Sequence, residues 1–258
     1  MQHTRRNAIG LGATALGLGL VNPFAARAQA ALAGDSYETE GGTIVIHPVS
    51  HASFVMSTPG LVIYNDPVGG ASAYEGLPPA DLVLITHEHG DHYDVETLSA
   101  VVGANTRLLT NPAVHGMLPE GLKALATAIA NGEETTVNDI AIAAIPAYNT
   151  TPDRLQYHPQ GRDNGYVLTI GGRRVYIAGD TEDIPEMRAL EDIDIAFLPM
   201  NLPYTMDITQ AAAAVTAFTP AIVYPYHYQD SDIDAFSALV TEGGGGSEVV
   251  RGDWYPAG

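Results

Sequence analysis

The 258-residue chain contains no cysteine. That excludes a disulfide, a thiolate nucleophile, a cysteine-ligated zinc and a cysteine-linked lipid, so any metal must rest on histidine and carboxylate. Cations are scarce as well: eleven Lys and Arg stand against thirty Asp and Glu, the formal net charge is −19, and Lys123 is the single lysine. Three of the arginines, Arg5, Arg6 and Arg27, fall in the first 30 residues, where there is no acid, so the remainder is more acidic still. Such a surface repels a phosphate backbone, and nucleic acid is excluded as a partner. Anionic small molecules are disfavoured at long range, although a bound dication would reverse the field locally. Beyond residue 30 no apolar run approaches the roughly 20 residues that span a bilayer, and stable membrane insertion is not expected. With 46% hydrophobic and 16% charged residues, the composition is that of a folded chain. Nothing in it sets an oligomeric state.

Residues 1–30 read as an address. Arg5-Arg6 precedes a mildly apolar Gly/Ala-rich stretch, Ala8 to Leu20, and Ala28-Gln29-Ala30 has the small-x-small form of a cleavage site. The arrangement resembles a twin-arginine export signal, with a generic secretory signal as the alternative. The mature domain, residues 31–258, is then expected to be periplasmic or otherwise exported.

From residue 42 the hydrophobic pattern gives short strands, then strand and helix in alternation, with no linker long enough to divide the chain. Thr43 to Val49, Ser53 to Ser57 and Leu61 to Asn65 read as strands. Asp81 to Thr86 reads as a strand buried on both faces. Asp94 is placed to N-cap a helix to about Val102, and Pro112 to Ala130 reads as helical with a break near Pro119. Strands follow at Arg107 to Thr110 and Ile140 to Pro146, and Tyr166 to Ile170 pairs with Arg173 to Ala178 across Gly171-Gly172. Strands at Ile193 to Leu198, Ala221 to Tyr226 and Glu248 to Arg251 alternate with helices at Ile208 to Phe218 and Ile233 to Val240. Two sheets, each covered by helices on its outer side, account for this order, a layered α/β fold.

Chemistry concentrates at strand ends. Thr86-His87-Glu88-His89-Gly90-Asp91-His92 puts three histidines and two carboxylates after a buried strand. His87 and His89 point the same way on an extended segment, and a turn at Gly90 can carry Asp91 and His92 to a neighbouring position. Two adjacent metal sites are therefore geometrically available. The H-x-H-x-D-H pattern resembles the signature of the metallo-β-lactamase superfamily, whose fold is an αββα sandwich with metals at the sheet edges. The resemblance assigns the bridging carboxylate to Asp180, in Gly179-Asp180-Thr181, and the last histidine to His227, in Tyr226-His227-Tyr228. Val49-Ser50-His51-Ala52-Ser53-Phe54 followed by Asn65-Asp66-Pro67 further resembles the branch that includes L-ascorbate-6-phosphate lactonase and N-acyl-phosphatidylethanolamine-hydrolysing phospholipase D, with Ser50 in place of the usual Gly. In that branch the position of His51 lies near the metal centre. Asp66 is expected to hold the motif loop or to orient a ligand histidine through its ring N–H.

One ligand of the pattern is missing. Where the resemblance calls for a histidine after the strand ending at Pro146, this chain has Ala147-Tyr148-Asn149. Asn149 or water could complete a weak first site beside His87 and His89, His158 could enter from the following loop, or the centre could hold a single metal. His and carboxylate donors suit Zn2+, one or two ions, with Mn2+ or Fe2+ as alternatives. The implied activity is hydrolysis of an ester, lactone, amide or phosphodiester bond of a small molecule, with Asp91 orienting a metal-activated water. A non-catalytic metal-binding protein of the same fold, motivated by the missing histidine, and a β-lactamase proper are the competing readings.

Overall fold

The computed structural model describes residues 32–255. The expected export signal, residues 1–30, lies outside the described residues. The first half of the described chain forms a seven-stranded sheet in sequence order: β1 (Asp35–Thr39), β2 (Gly42–Ser50), β3 (Ser53–Thr58), β4 (Leu61–Asn65), β5 (Leu82–Ile85), β6 (Arg107–Thr110) and β7 (Ala126–Ala128). Its strands are antiparallel as far as β4 and parallel from β4 to β7. The second sheet repeats the plan with β8 (Glu134–Val137), β9 (Ile140–Ala147), β10 (Asp163–Ile170), β11 (Arg173–Ile177), β12 (Ile195–Pro199), β13 (Ile222–Tyr226) and β14 (Glu248–Val249), antiparallel to β11 and parallel beyond it.

Helices cover the outer faces. The parallel steps of the first sheet are bridged by α1 (Val95–Val101), α2 (Pro112–Met117) and α3 (Glu120–Lys123). Those of the second carry α4 (Pro185–Arg188), α5 (Ile208–Phe218) and α6 (Ile233–Gly243). The αββα sandwich expected from the sequence is thus the fold. β5 shows why a continuous apolar run is required: Leu82 and Leu84 enter the core between the sheets, while Val83 and Ile85 pack with Leu98 and Val114 under the helices. A strand covered on both faces needs apolar residues at both phases of the two-residue period. Asp94 caps α1 as expected, accepting from the backbone N–H groups of Glu96 and Thr97.

Three stretches depart from the sequence reading. The helix expected over Pro112 to Ala130 ends at Lys123, and Ala126–Ala128 instead pairs in parallel with β6. Ala-rich composition favours a helix only weakly, and completing the sheet edge overrides it here. The short edge strands β1 and β8, both largely polar, carry no apolar run that would announce them.

Trp254 lies in the inter-sheet core, fully buried against Phe54, Phe197 and Tyr226 with ring centroids 5.8–6.2 Å away. It ties the late segment 252–255 to both sheets. Trp254→Ala is expected to cost about 3–5 kcal/mol of unfolding free energy in urea titration. Wild-type stability in that variant would mean that the segment is not part of the core.

Candidate metal centre

The strand ends of both sheets converge at one edge, as α/β architectures place their sites. The motif loop after β5 supplies His87, His89, Asp91 and His92, the end of β11 supplies Asp180, the end of β13 supplies His227, and the turn after β2 supplies His51. A break in the extended path at Gly90 turns the motif back, with the N–H groups of His92 and Tyr93 donating to the His89 carbonyl. Gly179 is held at φ 65°, where a Cβ would lie 2.7 Å from the Asn164 carbonyl oxygen. Only glycine lets β11 approach β10 this closely and deliver Asp180.

Asp180 is 2% exposed and surrounded by imidazole nitrogens. Its Oδ2 lies 3.3 Å from His227 Nε2, 3.4 Å from His158 Nε2 and 3.8 Å from His87 Nε2, and its Oδ1 lies 3.4 Å from His92 Nε2. All four nitrogens, and Asp180 Oδ1, are buried without a hydrogen-bond partner. Such groups are rare in a folded interior, because desolvation without compensation is costly. The spacing fits donors around a cation: tetrahedral bonds of about 2.1 Å put neighbouring donors roughly 3.4 Å apart. Among the described residues three groups of donor atoms lie within 4.8 Å of one another: His87, His89 and His158; His87, His92 and Asp180; and His51, Asp91, His92 and His227.

The histidines are aimed from behind. His92 Nδ1–H donates to Asp66 Oδ2 at 2.9 Å, while Asp66 also accepts from the Thr86 N–H at 2.8 Å and hydroxyl at 2.7 Å. This is the role expected of Asp66. His158 Nδ1–H donates to the buried Asp163 at 3.0 Å, and Thr86 Oγ1, its hydrogen committed to Asp66, accepts from His87 Nδ1 at 3.0 Å. Each contact fixes the tautomer that leaves Nε2 free to face inward.

Electrostatics follow from the crowding. Burial alone would raise the Asp180 carboxyl, but His227, His92 and His87 together hold it well below the usual carboxylate range. Burial would likewise depress His92, yet Asp180 and Asp66 hold it well above the ordinary histidine value. Burial pushes His87 well down, helped by its neighbour His92. Burial would raise Asp91, but the adjacent His227, 3.4 Å away, and the hydrogen bond from His51 hold it low.

His158 occupies the corner that the sequence leaves undecided. The loop after β9 is folded back by a buried carboxylate, Glu182, which accepts from the backbone N–H and hydroxyl groups of both Thr150 and Thr151 at 2.7–2.9 Å and pairs with Arg154 at 2.7 Å. Asn149 braces the same loop: its N–H donates to the His158 carbonyl at 2.8 Å, its side-chain amide N–H donates to the carbonyls of Arg154 and Tyr204, and its Oδ1 is buried without a partner. Arg162 straps this loop to the motif, bonding Asp163 at 2.6 Å and Glu88 at 2.8 Å. Asp163, Arg162 and Glu182 escaped the sequence reading; the available signal was a carboxylate at the head of β10, five residues after His158. His47 and His115, for which the sequence offers no motif, stand in none of the donor groups.

A family model described as the Beta-lactamase superfamily domain matches residues 45–227. The chain belongs to the beta-lactamase superfamily. Within it, the chain resembles a UPF0173 metal-dependent hydrolase of Pyrococcus furiosus, 29% identical over 208 residues that cover 75% of this chain and 91% of that protein. A UPF0173 metal-dependent hydrolase of Ligilactobacillus salivarius is 32% identical, covering 69% of this chain and 82% of the other. The crystal structure of a candidate metal-dependent hydrolase from Parabacteroides distasonis superposes with a TM-score of 0.79 at 43% identity, covering 86% of this chain and 98% of that one. This beta-lactamase superfamily protein is accordingly a metal-dependent hydrolase. The non-catalytic alternative is not favoured, because these relatives are named as hydrolases.

Glu182→Ala removes the acceptor of five bonds that hold the His158 loop. It is expected to destabilise the protein by roughly 3 kcal/mol in urea titration and to speed protease cleavage within 150–158. Unchanged cleavage would mean that the loop is held by other contacts.

Proposed function

We propose that the protein is an exported hydrolase with a two-cation centre that cleaves an ester, lactone, amide or phosphodiester bond of a small molecule. The observation that carries the reading is the set of four unpartnered imidazole nitrogens around buried Asp180. His87, His89 and His158 would hold one cation, Asp91, His92 and His227 the other, and Asp180 both. All-nitrogen and carboxylate donors favour Zn2+, with Mn2+ and Fe2+ as alternatives. When bound, the cations lower the pKa of a water toward neutrality and polarise the oxygen of the scissile bond.

The chain's own residues supply the rest. Asp91, half-exposed at the side chain, is the carboxylate of the cluster that solvent reaches, suited to orient the attacking water and to take and return its proton. Asp66 and Asp163 keep His92 and His158 aimed inward. Export rests on the Arg5-Arg6 signal pattern alone, and the periplasm is the compartment it implies. No helix among the described residues is long and apolar enough to cross a membrane.

Elemental analysis of protein purified without chelator is expected to find two equivalents of metal per chain, and His158→Ala close to one. Two equivalents in that variant would remove His158 from the centre, and one in the wild type would point to a mononuclear enzyme. Asp91→Ala is expected to abolish turnover of p-nitrophenyl ester and phosphodiester probes while leaving the fold intact; activity retained in a metal-loaded variant would overturn its role. Chelation is expected to lower the melting temperature as well as activity, because the cations bind only the folded state.

A further inference from the structure

The segment beyond the residues that match the family model reaches back into the site. His51 sits in the left-handed region at φ 54°, and both of its backbone groups are used: its N–H donates to the Trp254 carbonyl at 3.2 Å, and its carbonyl accepts from the His227 N–H at 2.9 Å. Its ring lies over that of His227, centroids 3.8 Å apart. Its two nitrogens face different partners, Nε2 the Asp91 Oδ2 at 3.2 Å and Nδ1 the Tyr255 hydroxyl at 2.8 Å.

Hydrogen counting gives this chain a direction. The Asp91 carboxylate can only accept, so Nε2 carries the hydrogen. An imidazole with one N–H then presents a lone pair at Nδ1, and the Tyr255 hydroxyl must donate to it. That hydroxyl oxygen in turn accepts from the Gln229 N–H at 3.0 Å, which fixes its position and turns its hydrogen towards His51. Tyr255 is itself held by its ring against Tyr228, centroids 4.8 Å apart, and by the buried Trp254 that precedes it.

We propose that Tyr255 is a positioning residue of the hydrolytic site: its hydroxyl fixes the His51 tautomer in which Nε2–H holds the Asp91 carboxylate in place for the attacking water. The proposal rests on the role given to Asp91 above. It assigns a function to a segment outside the matched span 45–227. It also treats His51 as a partner of Asp91 and not as a fourth donor to the cation, although its ring stands close enough for either.

The test uses the full chain with 15N-labelled histidine, metal-free and zinc-loaded, with the His51 signals identified by their loss in His51→Ala. The expected result is a single Nε2–H tautomer in the wild type and loss of that preference in Tyr255→Phe, which keeps the ring and removes the hydroxyl. Zinc content is expected to be unchanged in Tyr255→Phe and His51→Ala. With p-nitrophenyl acetate and bis(p-nitrophenyl) phosphate as probes, Tyr255→Phe is expected to lower kcat about tenfold with KM unchanged, the scale at which partners behind an active centre act. A wild-type His51 that carries its hydrogen on Nδ1, or on both nitrogens, overturns the proposal. So does loss of a zinc equivalent in either variant, which would make His51 a ligand. A kinetically silent Tyr255→Phe in an enzyme that Asp91→Ala inactivates sinks the role of Tyr255 and leaves the hydrolase reading standing. If the wild type cleaves neither probe, the tautomer and zinc results still decide the assignment of Tyr255.

Discussion

A buried carboxylate ringed by unpartnered imidazole nitrogens is the constraint on which this structure turns. Asp180 faces four imidazole nitrogens at 3.3–3.8 Å, none of which is hydrogen-bonded to it. An interior of this kind is unfavourable for the protein alone. It becomes favourable when cations stand among the donors, and the scaffold around the cluster keeps it from relaxing into ordinary hydrogen bonds. Asp66, Asp163 and Thr86 grip the outer nitrogens of His92, His158 and His87, so these three rings cannot rotate to satisfy themselves. Backbone conformation adds to this: His51, Asp66 and His227 all have positive φ, at a cost of about 1 kcal/mol or more each. Strain at three residues around one cluster is sustained by the large inter-sheet core beneath it.

The sheets explain how residues so far apart in sequence arrive together. Each sheet turns from antiparallel to parallel at its centre, and the parallel strands all end at the same edge. β5, β11 and β13 deliver His87, Asp180 and His227 there without any long loop. The inward phase of these strands builds the core, and the site residues lie just beyond it: His227 follows Tyr226 directly, and His87 and Asp180 come three residues after Leu84 and Ile177. Packing and chemistry thus share one register, and a slip of one residue would lose both.

Much of this was legible in sequence because it depends on local rules. Apolar runs bounded by turn residues located most of the strands; the two-residue period placed His87 and His89 on one side; an Asp before an apolar stretch located the start of α1. What was not legible depends on contacts between distant segments. Ala126–Ala128 favours a helix by composition and becomes a strand because β6 offers an open edge. Residues 149 to 158 contain no strand signal, so nothing local says where His158 points. Its position follows from Glu182, which lies 24 residues later and gathers the loop with five bonds. Tyr255 shows the same limit: 204 residues separate it from His51, and no spacing rule connects them.

The charge balance links the site to the stability of the whole. Asp66, Asp163, Asp180 and Glu182 are all buried, in a chain whose net charge is already −19. Two of the four have arginine partners, Asp163 with Arg162 and Glu182 with Arg154. Asp66 and Asp180 have no arginine partner; their nearest ionisable neighbours are the histidines of the cluster. A dication held by the donor cluster would bring two positive charges beside these carboxylates. Cation binding and folding are therefore coupled, as in other proteins whose donors are assembled only in the native state. Such cations would also reverse the local field at the donor cluster, so that an otherwise strongly acidic molecule could present a positive centre to its substrate.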